Sequence, residues 1–131
     1  MGYWIIALQK ELPIFSYMIL EQGALTGVYT EQQPFAKISR RGKAYPPSVL
    51  RSLSPIHAVV QQLAATYQVS NTAILIAWAI AKRTIPIIGI TKLHHIKSLK
   101  EAVGLRLTAN DMHRLANNAD LTAISIPGEW E

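Results

Sequence analysis

The hydrophobic positions of this chain change their period along its length. From Thr84 to Ile90 they form the nearly continuous apolar run Ile85-Pro86-Ile87-Ile88-Gly89-Ile90. That is the length of a strand. A lack of alternation is expected where helices cover both faces of a parallel sheet. Thr91 then reads as the polar cap of a helix running from about Lys92 to Val103. Upstream, Trp4, Ile5, Leu8 and Leu12 recur at helical spacing until Pro13, which closes that helix and opens a strand, Ile14 to Tyr17. A chain that opens in mid-helix is expected to begin inside a larger architecture.

Helical spacing returns at Ser48–Leu53 and, after Ser54-Pro55 as cap and first-turn proline, continues to Tyr67. Ser70 or Asn71 caps the next helix. Ile74, Leu75, Trp78 and the alanines make it apolar almost all round, the mark of a deeply packed helix. Thr108-Ala109-Asn110-Asp111 opens a last helix with a cap-x-x-acid pattern. The pattern therefore predicts parallel, neighbouring strands near 13–17 and 85–90, with helices near 48–67, 71–82, 92–103 and 109–118. Thr30 to Pro47, with Gly42 and three prolines, reads as a loop that orders on ligand binding. Ile124 to Trp130 reads as an extended tail.

Half of the 131 residues are hydrophobic and 16% are charged, which excludes a disordered chain and suits a segment from the middle of a larger protein. With no cysteine, disulfides and thiolate chemistry are excluded. The longest apolar stretch, Ala73 to Ala81, is shorter than the roughly 20 residues of a membrane span, so no membrane partner is expected. No secretory signal is evident, and a cytoplasmic location follows by default. The net charge of +5 raises the question of nucleic acid. Leu63 to Trp78 even has the apolar spacing of a DNA-binding helix-turn-helix, but its second helix shows no polar side chains for base edges. Phosphate of another kind suits the same charge. No metal centre is expected, because His57 has Gln61 at i+4, and the adjacent His94 and His95 point apart on a helix.

The turn Gly89-Ile90-Thr91-Lys92 joins a strand end to a helix start, where unpaired N–H groups and the positive end of the helix dipole favour an anion. Lys92 adds a positive charge beside it. A purely architectural turn carries the same residue types. Its neighbours go further. Ala77-Trp78-Ala79-Ile80-Ala81-Lys82, Ile85 to Lys92 and Leu107 to Asp111, with Phe15 to Gly27 upstream, resemble in order and spacing the C-terminal part of the aldo-keto reductases. The resemblance implies an α/β fold: the C-terminal fragment of a TIM-type (β/α)8 barrel, two parallel strands with surrounding helices. A whole barrel takes about 250 residues, so one partial domain over 1–131 is expected.

The family reduces aldehydes and ketones with NADP(H). By resemblance Tyr17 stacks on the nicotinamide, and Met18, Leu20, Gln22 and Gly23 run along the diphosphate. Gly89, Ile90, Thr91, Lys92 and His95 reach the adenosine and its 2′-phosphate. The sequence departs from the family at His95, often arginine or glutamine there, and at Ser98 and Leu99, where an acid and an asparagine or alanine are usual. The tyrosine, lysine, aspartate and histidine that catalyse in the family come from the first half of the barrel, and no block here matches them. No catalytic residue is therefore assigned. The chain is expected to carry the cofactor-holding end without the chemistry, with dinucleotide affinity weak or lost in isolation. A complementing chain or self-association would cover the exposed barrel core. A catalytically inert remnant that binds nucleotide weakly is the alternative. Trp130 borders a substrate pocket if the tail follows the family, and otherwise lies in an exposed terminus.

Overall fold

The computed structural model describes residues 2–122, with side chains from residue 4 onward, so the tail and Trp130 lie outside the described residues. Helix α1 (Gly2–Gln9) precedes strand β1 (Phe15–Ser16) and a 3₁₀ segment (Glu21–Thr26). Four helices follow: α2 (Arg40–Ala44), α3 (Pro47–Ser52), α4 (Ser54–Tyr67) and α5 (Asn71–Ala81). Strand β2 (Ile85–Pro86), α6 (Leu93–Gly104) and α7 (Ala109–Thr122) complete the order. The strands pair in parallel, with Phe15 opposite Ile85 and Ser16 opposite Pro86. The N–H groups of Ile85 and Ile87 donate to the carbonyls of Ile14 and Ser16, both at 2.7 Å. Below the pair, the Ser16 and Thr84 hydroxyls meet at 2.8 Å, and Thr84 Oγ1 donates to the Ala79 carbonyl, tying the sheet to the end of α5.

Two apolar clusters hold these elements. The larger gathers Ala24, Phe35, Tyr45, Leu50 and Leu53 with the inner faces of α4, α5 and α7. The smaller joins Ala73 and Ile76 of α5 to Ala102 of α6, with Ile19, Ile88 and Leu99 against it. Helix α5 belongs to both, and its residues Ala73 to Ala77 are all buried, as its all-round apolar pattern requires.

Several expectations are corrected. The strands are much shorter than 13–17 and 85–90, because a sheet of two strands pairs only where both backbones lie side by side. Helices do not cover both faces: α5 packs beneath β2, while Phe15, Tyr17, Ile85 and Ile87 are exposed. Residues 48–67 form two helices that meet at Leu53, and Ser54 Oγ donates back to the Arg51 carbonyl instead of capping. The stretch 30–47 is not all loop, since it carries α2 and packs against the core. Tyr29 stacks on Phe35 with ring centroids 3.7 Å apart, Phe35 tilts against Tyr45, and Ser39 caps α2 by accepting from the Gly42 N–H. Helix α1 ends at Gln9, well before Pro13, since Glu11 turns left-handed (φ 53°) and reverses the chain.

Candidate functional site

Parallel strands deliver their following loops to the same end of the sheet, so the carboxyl ends of β1 and β2 share one mouth. From β1 come Met18 to Tyr29. Within this loop Gln22 and Gly23 take positive φ (55° and 100°), and Thr26 Oγ1 donates to the Gly23 carbonyl at 2.7 Å. Asn71, beside the N-terminus of α5, donates from Nδ2 to the Thr26 carbonyl at 2.9 Å and pins the loop to that helix. Tyr45 donates its hydroxyl to Glu21 at 2.8 Å. Burial, then the Glu21 carboxylate, pushes the Tyr45 phenol well above its ordinary range, so it stays a neutral donor fixing the outer edge of the loop.

From β2 come Ile87 to Lys92. Lys92, extended at φ −140° and ψ 151°, occupies the N-cap position of α6, and among the described residues no side chain caps that helix. This corrects the cap assigned to Thr91. Thr91 instead donates its own N–H to His95 Nδ1 at 3.2 Å, so His95 reaches back over the first turn. His94 stands edge-on to His95, with ring centroids 4.5 Å apart. Gly89 has a non-left-handed backbone and nothing within 4 Å of where a Cβ would be, so its value here is open space.

Between the two loops lies a cavity of about 590 Å³, within the range of small-molecule sites. It brings together Met18, Leu20, Gln22, Gly23, Gly89, Thr91, Lys92 and His95 of the residues expected from sequence. Tyr17 and Ile90 stand outside its lining: Tyr17 lies on the open face of the sheet, and Ile90 is exposed. Two groups that the sequence reading passed over complete the wall. Arg41, from α2, lies 5.2 Å above the Phe35 ring and donates to the Gln22 carbonyl at 3.4 Å. His94 joins from α6. Arg41 belongs to the basic run Lys37, Arg40, Arg41 and Lys43; the signal that it is held in place is the aromatic residues flanking that run, Phe35 and Tyr45. Among the described residues lining the cavity are two permanent cations, two imidazoles and no carboxylate.

Helices α4 and α5 meet at 95°, an angle a helix-turn-helix also uses. Residues Ala73 to Ala77 and Ala79 of α5 are nevertheless buried, and the helix packs against α4, α6 and β2, so its N-terminal half has no free face to lay in a groove. Among the described residues no single helix is long and apolar enough to cross a membrane.

Comparison with known proteins bears directly on this arrangement. The sequence profile described as the aldo/keto reductase family matches residues 5–119, most of the chain. The chain belongs to the aldo/keto reductase family. Its two parallel strands and their packed helices are accordingly α/β units of a (β/α)8-barrel fold, with the cavity at the carboxyl ends of the strands where such barrels hold their ligands. A Schizosaccharomyces pombe (strain 972) protein named as an aryl-alcohol dehydrogenase is 38% identical over 56 residues. That match covers 43% of this chain and only 16% of the fission yeast protein.

Proposed function

We propose that this chain is the nucleotide-holding part of an oxidoreductase that acts on aldehydes or ketones with NADP(H). The observation that carries the reading is the cavity wall: among the described residues, Arg41, Lys92, His94 and His95 face one space without a carboxylate, beside a helix start that none of them caps. Such a wall suits phosphates, which gain charge-assisted bonds and the helix dipole together. When bound, the nicotinamide supplies hydride chemistry. The residues of this chain bind and orient: Lys92 and Arg41 pair with phosphate oxygens, Gly23 and Gly89 leave room for the backbone of the ligand, and Met18, Ile19 and Ile88 exclude water from the inner wall. The named relative, an aryl-alcohol dehydrogenase, supports an alcohol–carbonyl couple as the reaction class.

The family's acid for the carbonyl oxygen has no counterpart in this chain, and a general acid must stand within hydrogen-bond reach of the atom it protonates. The strands that would complete the wall on the side of Phe15, Tyr17, Ile85 and Ile87 belong to a complementing segment. The chain alone therefore binds weakly, with Kd in the high-micromolar to millimolar range, roughly −4 to −6 kcal/mol, and does not turn over. Titration with NADP+ and NAD+ by calorimetry and NMR tests this. Perturbation of residues 89–95 by NADP+, weakened about five- to tenfold by Lys92→Ala or Arg41→Ala, is expected. Unperturbed resonances at 89–95, or binding indifferent to both substitutions, would overturn the reading. Turnover of a simple aldehyde that is abolished by a substitution in this chain would overturn the claim of inactivity.

A further inference from the structure

We propose that the Tyr29 ring is the platform on which the heteroaromatic base of the bound nucleotide stacks. The proposal rests on the nucleotide-holding reading and adds to it a place for the base, which the cations of the wall do not supply. Phosphate needs positive charge, whereas a purine or pyridinium ring needs a flat π face that is held still. Tyr29 lines the cavity and at the same time packs against the larger apolar cluster, so part of its ring is fixed and part meets the open space. Phe35, itself buried, stacks on Tyr29 with ring centroids 3.7 Å and planes 23° apart. One face of Tyr29 is therefore covered, and the cavity meets what remains of the ring.

Gly23 keeps the approach to that ring clear. It lines the cavity too, and a Cβ built on it would meet Cε2 and Cδ2 of Tyr29 at 3.7 and 3.9 Å. A longer side chain there would compete with a ligand for the ring. The same Phe35 carries Arg41, whose guanidinium lies 5.2 Å from the ring centroid and which also lines the cavity. One buried ring thus positions both a cation for phosphate and a π face for a base. A nucleotide joins those two groups through one ribose, so this wall suits it better than it suits inorganic phosphate. Tyr17, the stacking residue that the resemblance implies, is 66% exposed and outside the lining. The imidazoles of His94 and His95 meet edge to face. Among the described residues of the lining, Tyr29 alone has an aromatic ring stacked behind it.

The experiment is NMR titration of the whole chain with NADP+, with 2′,5′-ADP and nicotinamide mononucleotide as its two halves, and with ribose 5-phosphate as the probe without a base. Upfield ring-current shifts of base protons, with nuclear Overhauser contacts between them and the Tyr29 ring, are expected. Contacts made by 2′,5′-ADP assign the platform to adenine, and contacts made by the mononucleotide assign it to nicotinamide. Tyr29→Leu is expected to weaken NADP+ about three- to tenfold and ribose 5-phosphate by less than about twofold. Tyr29→Phe keeps the π face and is expected to stay within about twofold of the native affinity. NADP+ that perturbs Lys92 and Arg41 but makes no contact with the Tyr29 ring overturns the inference and leaves the nucleotide-holding reading standing. An equal loss for ribose 5-phosphate in Tyr29→Leu, the sign of a wall merely loosened, overturns it as well. Failure of NADP+ to bind the native chain overturns that reading and the inference with it. If Tyr29→Leu fails to fold, the contacts in the native chain and the affinity of Tyr29→Phe still decide.

Discussion

Gly42 sits where the chain turns from Ala36 into α2, and a Cβ built on it would lie 2.1 Å from the Ala36 carbonyl oxygen. The obstacle is backbone, held in place by the Ser39 N–H and hydroxyl, which both donate to that carbonyl. Gly42→Ala should therefore destabilise by about 2–3 kcal/mol in urea unfolding, within the range of a steric core defect. Gly89 is the opposite case. With nothing within 4 Å of its missing Cβ, Gly89→Ala should change stability by no more than about 0.5 kcal/mol. Gly89→Leu should leave the fold intact yet weaken NADP+ binding, because the added side chain occupies the cavity that Gly89 lines. Thermal melts and the same titration check both. In sequence the two glycines look alike. Turn composition marks them equally, and only the distance to a neighbouring carbonyl separates a packing glycine from a space-leaving one.

At the scale of elements, α6 begins without a side-chain cap because Lys92 stands at its N-cap position. Serine there would accept from the first-turn N–H groups, so Lys92→Ser should stabilise the chain by about 0.5–1 kcal/mol while lowering phosphate affinity. A melting temperature that rises as NADP+ binding falls would show stability given up for charge at this position. Helices α4 and α7 are joined differently. Tyr67 donates its hydroxyl to Asp111 at 2.5 Å, and the Asp111 N–H donates to Thr108 Oγ1. The Tyr67 hydroxyl, more than any other neighbour, holds the Asp111 carboxyl below its ordinary range. A depressed folded-state value means the contribution is complete above the ordinary aspartate range near 4 and is lost as pH falls through the lower folded value. Tyr67→Phe should cost about 1–2 kcal/mol at neutral pH and flatten the acid limb of stability below about pH 4. Chemical denaturation at pH 3, 4 and 7 measures this. The cap-x-x-acid pattern located this helix start, but not the partner of its carboxylate, which lies on another helix.

At the scale of the whole molecule, the described residues cover the sheet on one side only. Phe15, Tyr17, Ile85 and Ile87 are 60%, 66%, 48% and 58% exposed, respectively. Together they form a contiguous exposed apolar patch, the kind of surface that marks an interaction face. Among the described residues both strands also offer an unpaired edge, the feature that invites further strand pairing. The isolated chain is expected to self-associate with rising concentration in analytical ultracentrifugation, and the double change Phe15→Lys and Ile87→Lys should shift it toward monomer. A chain monodisperse at high concentration without those changes would count against an open sheet face.

The sequence by itself located both strand sites and the helices at 54–67, 71–81, 93–104 and 109–122, while the blocks at 15–27, 77–92 and 107–111 carried the resemblance to the family. The element positions follow from period: an apolar run of strand length at 85–90, helical spacing at 54–67 and 71–81, and the proline and serine positions at their borders. Through that resemblance it also named eight of the residues that line the cavity. Tertiary structure decided the rest. Left-handed residues at helix ends, Glu11 (φ 53°), Gln68 (φ 56°) and Arg83 (φ 62°), carry no glycine to announce them. Arg41 is held at the wall over the Phe35 ring, which stacks on Tyr29 and tilts against Tyr45. A sheet face is exposed or buried according to what lies across from it, and an apolar alternation reads the same in either case. Local pattern is a property of neighbours in the chain; contact partners and open surface are properties of neighbours in space.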